Sequence, residues 1–369
     1  MARESGLKAR AAALAPEPMT VLKQSVLPLV AAFVIPLIFH FGIGPSVGAY
    51  PSKVLLDIGI NVVLAVSLNL VNGFTGQFSI GHAGFMAVGG YTAGLVTYYG
   101  GYRIWGDSLP HGGFLGAGEM LFLVATIAGA LSAAAFGYLV GLPSLRLRGD
   151  YLALVTLGFG EIVRVMIQQT SDIATDATEI AATAWPSLLW KVGGALGFTG
   201  LPFYTSLFWV WLWVSLTVLV ASRLKTSTHG RAFLSIREDE IAAEAMGIPT
   251  TTIKVRAFVM SAAFAGVAGS LFAHEVGTTL NPGELGFQKS FEVVIMVVLG
   301  GMGSVSGCVL AAIVVTVLPE LLRSVDEYRM VAYALTLILM MILRPQGLFG
   351  LREIWEIWPF KSLFRSEAK

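Results

Sequence analysis

The sequence predicts an all-α polytopic membrane protein with about ten transmembrane helices, at least one of which is interrupted by glycines. Three observations predict this class: 55% of the 369 residues are hydrophobic, only 13% are charged, and the apolar residues form long continuous runs. A soluble domain carries about twice that share of charge. The single cysteine, Cys308, excludes a disulfide scaffold, and a net charge of +1 provides no basic surface for nucleic acid.

The apolar runs place the candidate spans along the chain, since one helical crossing takes about 20 apolar residues. The predicted spans are 25–43, 53–71, 74–98, 118–141, 151–169, 203–222, 257–275, 289–300, 304–322 and 328–343. No cleavage pattern of small residues follows the first run, so we expect a retained helix and not a signal peptide. Two crossings within 289–322 require short helices, and a re-entrant segment is the alternative.

The basic residues predict which loops face the cytoplasm. Four regions hold 17 of the 24 lysines and arginines: residues 1–24, the turn with Arg146 and Arg148, residues 223–256 and the tail 344–369. With ten spans all four fall on one side, while the acidic stretch 170–202 falls on the other. We therefore predict an N-terminal cytoplasmic segment 1–24, a transmembrane domain 25–343 with a cytoplasmic segment 223–256, and a cytoplasmic or interfacial tail 344–369.

Two glycine-rich stretches, 73–84 and 299–307, interrupt the predicted spans. Irregular backbone at membrane depth is tolerated only inside protein or beside a water-filled cavity, and in transporters it points to the substrate path. The alternative is close helix packing through small residues, such as Gly90 with Gly94 or Ala262 with Gly266 and Ser270. The candidate path residues are Asn69, Gln77, Ser79 and His82. The last three could instead satisfy backbone groups freed by the glycines, and Asn69 could hydrogen-bond to a neighbouring helix.

Residues 235–249 read as a short, charged surface helix between two spans. Ser235 and Glu238 form a capping box, and Gly247 followed by Pro249 ends the helix after about eleven residues. Such a helix is too short to span a bilayer and offers a surface that another protein can grip. The alternative is a solvated loop helix with no partner.

Glu161 and Arg164 are ionisable residues inside a predicted span, three residues apart. Charged groups at membrane depth are functional candidates, but a neutralising pair at this spacing is the interpretation that we favour. No phosphate-binding G-x-x-x-x-G-K-[ST] loop occurs, and His274-Glu275 lacks the second histidine of a zinc protease. We therefore expect no enzyme activity, no metal site and no cofactor bound by this chain.

Five motifs give the chain a resemblance to the permease subunits of branched-chain amino acid ABC importers, the LivM type. They are SLNLVNG at 67–73 with TGQFSIGHAGF at 75–85, LRGDYLALVTLGFGEIVR at 147–164, GRAFLSIREDEIAAEAMGI at 230–248, LGGMGS at 299–304 and RPQGLFG at 344–350. The third is the most specific, because it resembles the cytoplasmic coupling motif of ABC importer permeases.

The resemblance implies a multi-pass permease of the bacterial inner (plasma) membrane that moves branched-chain or related amino acids. Implied partners are a homologous second permease, two cytoplasmic ATPases that use ATP, a periplasmic substrate-binding protein and membrane lipid. The implied ATPase-coupling residues are Arg237, Glu238, Glu240, Ala243 and Gly247. The alternative function is an ATP-independent secondary transporter or channel for a small polar solute, for which paired charges facing a cavity would be expected.

Overall fold

The computed structural model is helical over nearly all of its described length, which comprises residues 18–144, 150–275, 279–323, 328–344, 346–350 and 353–354. The helices are α1 (Pro18–Leu37), α2 (Ala49–Asn69), α3 (His82–Trp105), α4 (Ala117–Ser144), α5 (Asp150–Gln168), α6 (Ala177–Ala182), α7 (Trp185–Leu188), α8 (Leu207–Thr226), α9 (Thr228–Glu238), α10 (Glu240–Ala245), α11 (Thr250–Glu275), α12 (Phe287–Gly300), α13 (Val305–Leu321) and α14 (Arg329–Leu343). Turns of π-helix at Ile38–Ile43 and Leu70–Phe74 extend α1 and α2.

Within the described residues, six helical stretches are long and apolar enough to cross a membrane. They are Val26–Ser46, Ala49–Phe74, Ala117–Ser144, Tyr151–Gln168, Leu207–Thr226 and Thr250–Glu275. Val305–Leu321 and Val331–Leu343 are shorter apolar helices. The all-α polytopic membrane class is therefore confirmed, whereas the count of ten spans and the broken span stay predictions.

Burial separates central helices from peripheral ones. In the span Ala49–Phe74, which contains α2, 83% of the most apolar stretch is buried, against 33% in α4 and 28% in α5. The peripheral helices instead expose large apolar side chains such as Leu131, Leu154 and Ile342. A surface of this kind is suited to lipid, because it would aggregate in water.

Glycines bring α3, α4 and α11 into backbone contact. A Cβ atom on Gly89 would lie 2.3 Å from the Cα of Gly266, and one on Gly129 would lie 2.6 Å from the carbonyl oxygen of Gly89. A Cβ atom on Gly269 would lie only 1.9 Å from the carbonyl oxygen of Met86. The predicted packing through small residues is thus confirmed around Gly266, where it holds the centre of the bundle together.

The third predicted span, 74–98, differs from the structure at its start. Helix α3 begins at His82, and residues 75–81 are not helical. Gly76 has a φ of +69°, a left-handed conformation that glycine adopts without strain. The predicted pair of short helices in 289–322 corresponds to α12 and α13, of 14 and 17 residues.

A two-stranded sheet marks one end of the molecule. Strand β1 (Phe198–Thr199) pairs antiparallel with β2 (Thr279–Leu280), which follows α11. The end of α11 therefore lies beside the stretch 170–202, which the sequence predicts to be periplasmic. The start of α11 lies about 39 Å away along a 26-residue helix, next to α10.

Candidate functional site

The segment between α8 and α11 forms two helices where the sequence predicts one. Helix α9 is capped by the Ser227 hydroxyl, which accepts from the Gly230 N–H, and α10 is capped by Asp239. The Asp239 carboxylate accepts from the N–H groups of Ile241 and Ala242 at 2.9 and 3.0 Å. The capping box predicted at Ser235 is wrong, because the Ser235 hydroxyl donates to a carbonyl oxygen within α9 and a carboxylate is the stronger acceptor.

The predicted helix end at Gly247 is confirmed. Gly247 has a φ of +84°, and its N–H donates to the Glu244 carbonyl oxygen. The N–H of Ile248 donates to the Ala243 carbonyl oxygen, which completes a Schellman end. The short helix α10 is therefore fixed at both termini despite its six residues.

Helix α10 presents an apolar surface to its surroundings. Ile241 and Met246 are 68% and 83% exposed, and only Ala243 of this helix is buried. Exposed apolar side chains beside charged ones are one feature of protein–protein interfaces.

Among the predicted coupling residues, Glu240 faces the chain itself and Glu238 faces outward. The Glu240 carboxylate forms an ion pair at 2.6 Å with Lys254, whose side chain is only 5% exposed. This ion pair ties α10 to the second turn of α11, whereas Glu238 is exposed. A displacement of α10 would therefore be transmitted to α11 through this ion pair.

Arg237 connects α9 with both glycine-rich stretches. Its Nη1 donates to the carbonyl oxygen of Gly73 at 2.9 Å and to that of Met302 at 3.4 Å. A Cβ atom on Gly76 would lie 3.0 Å from the Arg237 Cγ, so glycine leaves room for this side chain. Sequence reasoning assigned Arg237 to the ATPase contact, and the structure shows an inward-facing link.

The two glycine-rich stretches contact each other through Asn69. Its side-chain oxygen accepts from the Gly303 N–H at 2.8 Å, and its amide nitrogen donates to the Ser304 carbonyl oxygen at 3.3 Å. A Cβ atom on Gly73 would lie 1.9 Å from the Asn69 side-chain oxygen and 2.5 Å from the Gly303 nitrogen. Asn69 thus holds the end of α2 against the turn between α12 and α13.

The tail also packs on that turn, which the sequence did not predict. The Glu353 side chain is buried and accepts hydrogen bonds from Lys225, from the Ser306 hydroxyl and from the N–H groups of Val305 and Ser306. Burial raises the pKa of this carboxyl, but these hydrogen bonds outweigh burial and hold the pKa below its usual value. Glu353 is therefore an anionic cap on the N-terminus of α13.

The other candidate path residues lie in or next to the non-helical stretch 75–81, and all are buried. His82 Nε2 lies 2.8 Å from the Ser67 hydroxyl, and the Ser79 backbone exchanges hydrogen bonds with the Asn72 side chain. Gln77 differs, because within the described structure its side-chain oxygen is buried without a hydrogen-bond partner.

The predicted pairing of Glu161 with Arg164 is confirmed. The two side chains lie 2.7 Å apart. The second carboxylate oxygen of Glu161 accepts from the Phe287 N–H at 3.0 Å, at the first residue of α12. The pair therefore also fixes α12 against α5, a long-range contact that sequence spacing did not reveal.

Comparisons with known proteins agree on one family. The family described as "Branched-chain amino acid transport system / permease component" matches residues 50–343. The chain is 40% identical over 305 residues to the high-affinity branched-chain amino acid transport system permease protein LivM of Escherichia coli K12 and to that of Salmonella typhimurium LT2; each match covers 78% of this chain and 67% of the relative. The permease protein LivH of Escherichia coli K12 is 22% identical over 298 residues, which cover 80% of this chain and 92% of LivH. No solved structure gave a significant match.

Proposed function

The chain belongs to the permease components of branched-chain amino acid transport systems, and we propose that it forms half of the channel of an ATP-driven importer in the bacterial inner membrane. The observation that carries this proposal is the 40% identity to LivM over 78% of the chain. The cargo is a branched-chain or related amino acid, which a periplasmic binding protein delivers. The ATP-independent alternative finds no support among these relatives.

The second half of the channel is a homologous permease. The chain is similar to LivM and, more distantly, to LivH, and both relatives are named as permease proteins of such a system. Two related chains that meet around a shared axis would enclose a path that neither chain lines alone.

Two ATPases drive this channel from the cytoplasmic side, and α9 with α10 forms the coupling element. The exposed Ile241 and Met246 contact a cleft of one ATPase. Ala243 packs α10 against the rest of the chain, and Gly247 ends the helix. Glu240 passes motion to α11 through Lys254, and Arg237 passes it to Gly73 and Met302. Glu238 remains available for a contact with the ATPase.

The glycine-rich stretches then move as the gate on the cytoplasmic side. Arg237, Asn69 and the tail all hold the turn at 300–304, so a shift of α9 reaches α2, α12 and α13 together. Gln77 is the path residue with an unused side-chain acceptor, whereas His82 contacts the Ser67 hydroxyl and the Ser79 backbone is held by the Asn72 side chain.

Residues 25–343 form the permease domain, with 223–256 and the tail 344–369 on the cytoplasmic side. This arrangement follows from the distribution of basic residues. Arg146 and Arg148, residues 1–17 and most of the tail lie outside the described residues.

The function is tested by uptake of labelled L-leucine into proteoliposomes. We expect uptake only when this chain, the second permease, both ATPases, internal ATP and the external binding protein are all present. Omission of this chain should reduce uptake to the level of empty vesicles. Uptake by this chain alone, driven by an ion gradient without ATP, would establish the secondary-transporter alternative instead.

A further inference from the structure

Five ionisable side chains interact electrostatically at the end of the molecule opposite α10. They are Lys53 and Asp57 near the start of α2, Glu275 at the end of α11, and Lys289 and Glu292 in the first turns of α12. We call this set the outer charged cluster. Charges beside such apolar spans are costly unless they face water, a partner chain or a substrate.

Two members of the cluster satisfy each other. The Lys289 ammonium lies 3.0 Å from the Glu292 carboxylate and donates to the Asn61 side-chain oxygen at 3.0 Å. Asn61 in turn donates to the Thr316 hydroxyl on α13 at 2.9 Å. These contacts fix the Lys289 side chain between α2, α12 and α13, so this lysine lines one side of the cluster.

Glu275 is not satisfied in this way. Its side chain is only 8% exposed, and neither carboxyl oxygen accepts a hydrogen bond from an N–H or hydroxyl group of the described residues. It faces a second carboxyl group, that of Asp57, and the two hydrogen-bond to each other only while one of them holds a proton, since two ionised carboxylates offer no donor. Ionising both of these acids is costly without a further donor, and a cationic ligand that donates to them would remove that cost.

Lys53 is the complementary member. It lies one helical turn before Asp57 on α2, is exposed, and is close enough to act electrostatically on both Asp57 and Glu275. The cluster therefore offers two neighbouring acids, one of them buried, and a cation beside them.

The cluster lies where a delivered substrate would enter. Strand β2 follows α11 and pairs with β1, which lies within the predicted periplasmic stretch 170–202. The coupling element lies at the other end of α11.

We propose that the outer charged cluster is the first binding site in the permease for the zwitterionic head group of the amino acid. The site takes the α-ammonium on Glu275 and Asp57 and the α-carboxylate on Lys53. This assignment rests on the proposed function, which it deepens. Opposite charges on the ligand match opposite charges on the site, so the ligand binds as a neutral unit and is released without leaving a charge behind.

The test measures binding to the complete complex of two permeases and two ATPases in nanodiscs, without the binding protein. Saturation-transfer NMR reports contact between the complex and the methyl protons of L-leucine. We expect saturable binding that is weakened roughly tenfold for 3-methylbutylamine, which lacks the carboxylate, and for 4-methylpentanoate, which lacks the ammonium.

Variants locate the site. Glu275→Gln and Lys53→Gln should each weaken leucine binding roughly tenfold, and Glu275→Asp should restore most of it. Glu284→Gln is the matched control, because Glu284 is an exposed acid on the same side that lies outside the cluster. If Glu275→Gln does not fold, Lys53→Gln still decides, since an exposed lysine contributes little to folding.

The outcomes separate this proposal from the proposed function. If wild-type proteoliposomes take up leucine with ATP but Lys53→Gln and Glu275→Gln bind leucine as the wild type does, the cluster is not the site and the importer function stands. Equal binding of leucine, the amine and the acid would also overturn the zwitterion site. If the wild-type complex shows no ATP-dependent leucine uptake, both proposals fail.

Discussion

Gly269→Val is expected to leave almost no folded chain in the membrane. A Cβ atom at this position would lie 1.9 Å from the Met86 carbonyl oxygen and 2.9 Å from the Gly90 nitrogen, so α3 and α11 would have to separate. Overpacking of a core typically costs about 1–3 kcal/mol, and a clash with backbone atoms lies above that range because no side chain can rotate away. The measurement is the amount of monodisperse chain after mild solubilisation.

The control for this substitution is Gly158→Val on α5. A Cβ atom at Gly158 meets nothing within 4 Å, so the same change should leave the amount of folded chain close to that of the wild type. Equal amounts of folded chain from Gly269→Val and Gly158→Val would show that α3 and α11 do not make this contact in the membrane.

Arg237→Ala is expected to lower leucine uptake roughly tenfold while ATP hydrolysis continues. The exposed surface of α10 is unchanged, so the ATPases still bind. The link from α9 to the carbonyl oxygens of Gly73 and Met302 is lost, so the motion of the ATPases does not reach the glycine-rich stretches. The measurement is the number of leucine molecules imported per ATP hydrolysed in the same proteoliposomes.

Arg231→Ala serves as the control for that prediction. Arg231 lies on the same helix but is exposed. Its loss removes the same charge without removing the link, so the ratio of leucine to ATP should stay close to the wild-type value. An unchanged ratio in Arg237→Ala would mean that Arg237 holds the fold and does not transmit motion.

Local features of this chain could be predicted because they depend on neighbours in sequence. The pairing of Glu161 with Arg164 follows from a spacing of three residues on a helix. The end of α10 at Gly247 follows from the need for a left-handed residue. The membrane class follows from composition and from the long continuous apolar runs.

The junction around the turn at 300–304 could not be predicted, because its parts are remote in sequence. Asn69 contacts Gly303 across 234 positions, and Glu353 reaches Ser306 across 47. The prediction of one helix where the structure has α9 and α10 was wrong for a different reason. Ser235 and Asp239 are both acceptable caps, but the Asp239 carboxylate is the stronger acceptor for the N–H groups of α10, and the tertiary burial of Phe233 and Ile236 keeps Ser235 inside α9.

Cross-linking from α10 tests the coupling claim most directly. In a Cys308→Ala background, which removes the one buried cysteine, Ile241→Cys places a thiol on a side chain that is 68% exposed. Leu196→Cys, at a residue 78% exposed next to β1, is the control at the opposite end. We predict that a short bifunctional reagent joins position 241, and not position 196, to an ATPase subunit of the assembled complex. A cross-link to the ATPase from position 196, or none from position 241, would contradict the account.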